Sequence, residues 1–100
     1  MEQYEVKIFS TAQSDLCDIV EYLNTLSPDA ARRYYDLIIE KAGSLTTMPE
    51  RRPVVKDIQL RLRGYRILPV KNYIVFYVVN GKTVEIRRIL YARRQYEGLL

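Results

Sequence analysis

One hundred residues with 48% hydrophobic side chains, four glycines and four prolines describe one globular α+β domain spanning 1–100, neither a disordered tail nor a membrane protein, since no stretch approaches the ~20 apolar residues of a bilayer span. With no histidine and a single cysteine, Cys17, the chain has no Ser-His-Asp or Cys-His arrangement, no internal disulfide and no metal-ligand cluster, so no metal, cofactor or membrane partner is expected. The net charge of +4 hides a split: residues 1–50 hold 4 Lys/Arg against 9 Asp/Glu, a balance of −5, and residues 51–100 hold 12 against 3, a balance of +9.

Residues 3–9 alternate apolar and polar side chains, with Tyr4, Val6 and Ile8 on one face, as a strand does. Glu2 and Glu5 beside this run do not read as a signal peptide, so a cytoplasmic location is expected. Ser10 offers an N-cap and Gln13 completes an S-x-x-Q capping box. The helix that follows carries Ala12, Leu16, Ile19, Val20, Leu23 and Leu26 at helical spacing, with Asp15, Asp18 and Glu21 off that stripe on solvated surface. Cys17 lies beside the stripe, as a small packing residue would. Ser27-Pro28 restarts the pattern, serine as N-cap and proline at the first helical position. The second helix is expected from about Pro28 to Leu45, with Ala30, Tyr34, Leu37, Ile38, Lys41 and Leu45 along one side.

Pro49 and Pro53 break the periodicity, because each disfavours helix in the residue before it, and a loop of about ten residues is expected next. Three strand-like runs follow, about Tyr65 to Val70, Tyr73 to Val79 and Thr83 to Tyr91. Asn80-Gly81 signals a type I′ hairpin and Lys71-Asn72 a second tight connection, so the order is β-α-α-β-β-β, a helical hairpin packed on an antiparallel sheet. The middle run is apolar on both faces and reads as a central strand covered on both sides. The helical hairpin covers one face; a short C-terminal helix over Arg93–Leu100, or a partner, must cover the other.

A half this basic, threaded with Tyr65, Tyr73, Tyr77, Tyr91 and Tyr96, points to an anionic partner, nucleic acid or an acidic protein. Arg61, Arg63 and Arg66 flank Gly64-Tyr65, Arg87 and Arg88 lie in the last strand, and Arg93 and Arg94 follow it. On a three-stranded meander they can form one patch over the sheet and its C-terminal edge. Arginine binds phosphate bidentately and tyrosine stacks on bases or moves protons, so the patch suits RNA; it equally suits an acidic protein segment. Each arginine alone is also compatible with solvated surface, and Tyr65, Tyr73 and Tyr77 with core or sheet-face positions. Alternation along Val84-Glu85-Ile86-Arg87 places Glu85 and Arg87 on one face and sends Arg88 inward with Val84 and Ile86. Either a bulge re-aims Arg88, or it is half-buried against a carboxylate or carbonyl.

Four segments carry a resemblance: Ala12-Gln13-Ser14-Asp15-Leu16-Cys17-Asp18-Ile19 with Tyr22, Leu62-Arg63-Gly64-Tyr65-Arg66, Asn72-Tyr73-Ile74-Val75-Phe76-Tyr77, and Val84 to Arg94. Together they resemble the RelE/ParE superfamily of bacterial type II toxins, which are encoded with a neutralising antitoxin. The resemblance implies a cognate antitoxin as partner, and DNA gyrase (ParE-like members) or the ribosome with its mRNA (RelE-like members) as target. Ribonuclease members usually place an arginine early in the strand that reads Tyr73-Ile74-Val75-Phe76 here, where this chain has Ile74, whereas Gly64-Tyr65-Arg66 and Ile86-Arg87-Arg88-Ile89-Leu90 look closer to the ParE side. The resemblance therefore implies gyrase poisoning first, with a surface of Arg61, Arg63, Arg66, Arg87, Tyr91, Arg93, Arg94 and Tyr96 meeting target or antitoxin. The alternative is a ribosome-dependent endoribonuclease in which Arg66, Arg88, Arg93 and Tyr96 form a divergent phosphate site and Tyr91 or Tyr96 assists proton transfer. A third reading is a non-toxic antitoxin-binding domain.

Overall fold

The computed structural model of the protein describes residues 3–93 and 99–100. Strand β1 (Glu5–Ile8) leads into α1 (Ser10–Leu26) and α2 (Pro28–Gly43). Two 3-10 turns and a short helix α3 (Ile58–Leu62) then lead to β2 (Tyr65–Val70), β3 (Tyr73–Asn80) and β4 (Thr83–Tyr91). The order and the α+β class agree with the sequence reading. Helix α3 is an addition, in the segment expected to be loop: Asp57 caps it by accepting from the Leu60 N–H at 3.0 Å, and Leu60 is its buried residue. Five residues are too few for a periodic signal.

The sheet runs β1-β4-β3-β2. Strand β3 is interior, as its two apolar faces require, and pairs antiparallel with both neighbours. Strand β1 joins the other edge of β4 in parallel, from Glu5 opposite Thr83 to Ile8 opposite Ile86, so the sheet is mixed rather than wholly antiparallel. No hairpin turn connects β1 to β4, and nothing local in the sequence fixes that direction. The two-residue turn after β3 is Gly81-Lys82, with Asn80 still paired to Thr83. Gly81 alone takes positive φ, +62°, which places glycine at the first central position as type II′ turns do, not type I′.

The helical hairpin covers one face. Ala12 and Leu16 from α1, Ile38 and Ala42 from α2, and Leu45 pack on Leu68, Val70, Val75, Tyr77, Val84, Ile86 and Ile89, with Val6 and Ile8 of β1 against them. Ser27 caps α2 as expected, accepting from the Ala30 N–H at 3.2 Å. The buried line of α2 is Ala31, Ile38 and Ala42, and Lys41 is exposed, so the helix is turned from the expected stripe. Two of the three buried residues are alanines, which large apolar side chains outrank in the expected stripe. Helix α1 has Phe9 as N-cap in place of Ser10. Instead of closing a capping box, the Gln13 side-chain amide donates to the Ile8 carbonyl at 3.3 Å.

Val55, Leu60, Tyr65, Phe76 and Leu90 form a second cluster on the opposite face, with Leu99 and Leu100 against it. Among the described residues, α3 with its preceding loop and Leu99–Leu100 therefore cover this face. Most of the segment expected as a C-terminal helix, including Arg94 and Tyr96, lies outside the described residues. No helix among the described residues is long and apolar enough to cross a membrane.

Tyr77 ties the helix-side core to the loop before α3. Its ring is fully buried and its hydroxyl donates to the Pro49 carbonyl at 2.5 Å. Burial pushes its pKa from 10.0 up to about 12, against the opposing pull of Arg66 and Arg52. The folded state holds this proton more tightly than the unfolded chain. Its stabilising contribution is therefore complete below pH 10 and is lost as pH rises through about 12. Tyr77→Phe should be less stable in urea by about 1 kcal/mol at neutral pH, because it leaves the Pro49 carbonyl unpaired. The gap between variant and wild type should close as pH approaches 12, and a constant gap would show that the hydroxyl does not set the alkaline limit.

Candidate functional site

Strand β4 carries a bulge. Its register with β3 passes from Ile86 opposite Tyr77 to Arg88 opposite Phe76, leaving Arg87 as the extra residue. Alternation restarts there: Val84, Ile86 and Ile89 face the helices, and Leu90 faces the second cluster. Both resolutions expected for Arg88 occur together. Asp15 on α1 accepts from Arg88 Nε at 2.7 Å, from Arg88 Nη2 at 2.8 Å and from the Ile89 N–H at 3.0 Å. Thr11 Oγ1 donates to the Arg87 carbonyl at 3.0 Å, and the Phe9 N–H to the Ile86 carbonyl at 2.9 Å. The Asp15 side chain is only 11% exposed, so it is not the solvated carboxylate that its position off the apolar stripe suggested. Its hydrogen bonds hold the Arg88 guanidinium above the ordinary arginine pKa.

Arg87 turns to the second face, where Glu85 Oε1 accepts from its Nη2 at 2.6 Å and its Nε at 3.1 Å. The guanidinium lies 4.9 Å from the Phe9 ring centroid and 5.9 Å from that of Tyr65, and Arg63 covers the same Tyr65 ring at 5.2 Å. The result is a cluster in which two guanidiniums share two aromatic rings, each contact favourable. The Arg87 hydrogen bond holds Glu85 below the usual carboxylate range. Burial opposes the charge on Arg87, but the Glu85 bond and the Tyr65 contacts outweigh it and raise its pKa. Leu99 and Leu100 close this cluster: the Leu99 carbonyl accepts from Arg88 Nη1 at 2.9 Å and the Leu100 carbonyl from Arg63 Nη2 at 2.7 Å. What remains open is a cleft of about 220 Å³ between Phe9, Thr11, Tyr65 and these leucines.

The other candidates lie elsewhere. Arg61 donates to the Val55 and Lys56 carbonyls at 3.2 and 3.1 Å, fastening α3 to its own loop. Arg66 donates to the Arg52 carbonyl at 2.6 Å beside the Tyr77 hydroxyl, on the helix side of the sheet. Its strand edge is covered by Pro53–Val55, where the Val55 N–H donates to the Tyr65 carbonyl and the Ile67 N–H to the Pro53 carbonyl, both at 3.2 Å. Tyr91 closes β4 in the row of Tyr73 and Val70, five residues along β2 from Tyr65 and so about 17 Å away. Arg93 is exposed beyond it, and Arg94 and Tyr96 lie outside the described residues. Among the described residues the arginines expected in one patch divide: Arg63, Arg87 and Arg88 come together, Arg66 takes the other face and Arg93 the other end.

Two features carried no local sequence signal. An apolar groove of about 430 Å³ runs between the helices and β1, lined by Ile8, Leu16, Cys17, Val20, Tyr35 and Ile39. Cys17 is exposed on its wall rather than packed. The second is a cluster of Tyr22, Tyr34, Tyr73 and Tyr91 at the Tyr91 end of the sheet. Among the described residues no group of ligating side chains could hold a metal ion.

A family model described as ParE toxin of type II toxin-antitoxin system, parDE, matches residues 6–96. A solved structure of the chromosomal ParDE toxin-antitoxin system from P. aeruginosa is 21% identical, covering 93% of this chain and all of that one, with a TM-score of 0.78. The RelBE2 toxin-antitoxin complex from Mycobacterium tuberculosis is 22% identical over 89% of this chain and 98% of that one, with a TM-score of 0.60. Among curated proteins compared by sequence, none matches.

Asp15→Ala should lower the unfolding free energy by about 3 kcal/mol, because it leaves the Arg88 guanidinium, 19% exposed, without its counter-charge. Adding Arg88→Met should restore part of that loss. Urea titration of the two single variants and the double variant checks it, and simple additivity would mean that the pair is not coupled.

Proposed function

The chain belongs to the ParE toxins of type II toxin-antitoxin systems, and on that footing we propose that it arrests bacterial growth by poisoning DNA gyrase through direct protein contact. One observation carries this reading: the guanidiniums of Arg61, Arg63, Arg66, Arg87 and Arg88 are all engaged by carbonyls or carboxylates of the chain itself. Phosphoryl transfer needs donors aimed at the developing charge and a group that moves the proton. These five arginines are instead spent on holding the sheet, α3 and the C-terminal leucines. Ile74, where ribonuclease relatives usually carry an arginine, packs with the second apolar cluster. These features support a binding surface over a nuclease centre.

The partner that restrains such a toxin is its antitoxin, and both solved relatives belong to toxin-antitoxin pairs. In our reading an amphipathic helix of the antitoxin fills the groove lined by Leu16, Val20 and Ile39, a mode that needs apolar residues at helical spacing on the visiting segment. Val20→Glu should weaken that complex at least tenfold in a titration calorimeter while leaving urea stability within about 1 kcal/mol, because Val20 is half-buried at the groove. Unchanged affinity would move the antitoxin to another face.

Induction of the chain alone in bacteria separates the targets. DNA breaks, altered supercoiling and the SOS response with uncut mRNA are the expected outcome. Early codon-phased mRNA cleavage with intact DNA would establish the ribosome-dependent endoribonuclease instead, and normal growth a non-toxic antitoxin-binding domain. Arg93 is exposed and has no partner among the described residues, so Arg93→Ala should reduce toxicity without loss of fold. Arg66→Ala is a poorer probe, because it also frees the Arg52 carbonyl.

A further inference from the structure

Four tyrosines from separate elements meet where α1, α2, the start of β3 and the end of β4 converge. Tyr73, 7% exposed, forms the floor of a recess. Tyr34 and Tyr91 stand edge-on to it, with ring centroids 5.8 and 5.7 Å away and ring planes at 81° and 71° to its own. Tyr22, 61% exposed, forms the rim. The recess has two lobes, about 170 and 500 Å³, which share Tyr22, Tyr73 and Tyr91. Burial raises the Tyr73 pKa, and Tyr34, Tyr22 and Tyr91 add to the shift in that order.

The α1 wall of the smaller lobe carries two carboxylates, Asp15 and Asp18. Asp15 is spent on Arg88 and the Ile89 N–H. Asp18 is exposed and, among the described residues, has no ion-pair partner. The cations stacked on rings among the described residues, Arg63 and Arg87, sit on Tyr65 and Phe9 and leave these tyrosines vacant.

The electron-rich face of an aromatic ring attracts cations, and Tyr22 and Tyr91, 61% and 44% exposed, are the rings of the recess most open to a visitor. A guanidinium suits the recess better than an ammonium, because its plane stacks on a ring while its forked N–H groups meet a carboxylate. A nucleotide could stack its base on the same rings, but its phosphate would then approach the α1 carboxylates. We propose that this recess is a docking site for an arginine side chain projecting from a protein partner, stacked on Tyr22 and Tyr91 above the Tyr73 floor and paired with Asp18. The recess adjoins the Arg63–Arg87–Arg88 cluster through Asp15 but is lined by none of its arginines, and it does not depend on which target the toxin strikes.

The test follows the tyrosine ring signals of the full chain by NMR during titration with N-acetylarginine amide, its uncharged isostere N-acetylcitrulline amide, and uridine monophosphate. Saturable shifts of Tyr22, Tyr73 and Tyr91 with the arginine probe and not with the other two are expected. Asp18→Asn should weaken that binding about three- to tenfold and Tyr91→Ala should abolish it. Leu62→Ala, at a position 80% exposed on α3, should leave it unchanged. Absent shifts, equal shifts with citrulline, shifts led by the nucleotide, or undiminished binding by Asp18→Asn would each overturn the proposal.

Discussion

The ion pair between Asp15 and Arg88 fastens the helical layer to the sheet at the one point where the pattern of the sheet breaks. A β-bulge leaves backbone groups without ladder partners, and here α1 supplies them. Asp15 takes the Ile89 N–H together with the guanidinium, and Thr11 donates to the Arg87 carbonyl. A half-buried ion pair is weak evidence of net stabilisation, because desolvation offsets much of the attraction. Its larger effect is on register. If β4 slipped by one residue, Ile89 and Leu90 would exchange faces and two apolar clusters would lose a member each. Asp15 matches one register only, so it selects the bulged strand over its neighbours.

That choice arranges the second face. With the bulge absorbing Arg87, Glu85 and Arg87 stand together on one side of β4 within reach of Tyr65 on β2, two strands away. Arg63 lies over the same tyrosine ring, 5.2 Å from its centroid. The basic charge of residues 51–100 thus has an internal use that its density in the sequence conceals. Five arginines satisfy carbonyls or carboxylates that would otherwise be orphaned at a bulge, an α3 junction or a chain end.

Most of the fold is legible in the sequence because its signals are local. Ser27-Pro28 marks the start of α2, and the bounds of β2 and β4 follow from alternation between turn residues. What escapes is non-local or small. The parallel pairing of β1 has no connecting turn to announce it, α3 is too short for a period, and the buried line of α2 includes Ala31 and Ala42, which a search for large apolar residues overlooks. The candidate site divides in the same way. That Arg88 needed a bulge or a partner follows from alternation alone, whereas Asp15 stands 73 residues away and only the folded chain brings it near. The described arginines divide for a geometric reason: the pleat sends Tyr65 and Arg66 to opposite faces, and β4 carries Arg93 a full strand length from Arg63.

Internal neutralisation also bears on how such a protein chooses its partners. Asp15 and Glu85 cancel the local charge of Arg88 and Arg87, so the field that remains for distant steering is diffuse, and salt screens it beyond about 8–10 Å. A diffuse positive field gathers polyanions without discriminating among them. Selectivity must then come from surfaces whose shape is fixed, and two are lined by none of the clustered arginines: the apolar groove between the helices and the tyrosine recess at the end of β4. Both are walled by α1, the helix that Asp15 locks to the sheet, so the contact that sets the register of β4 also sets the geometry of the surfaces a partner would read.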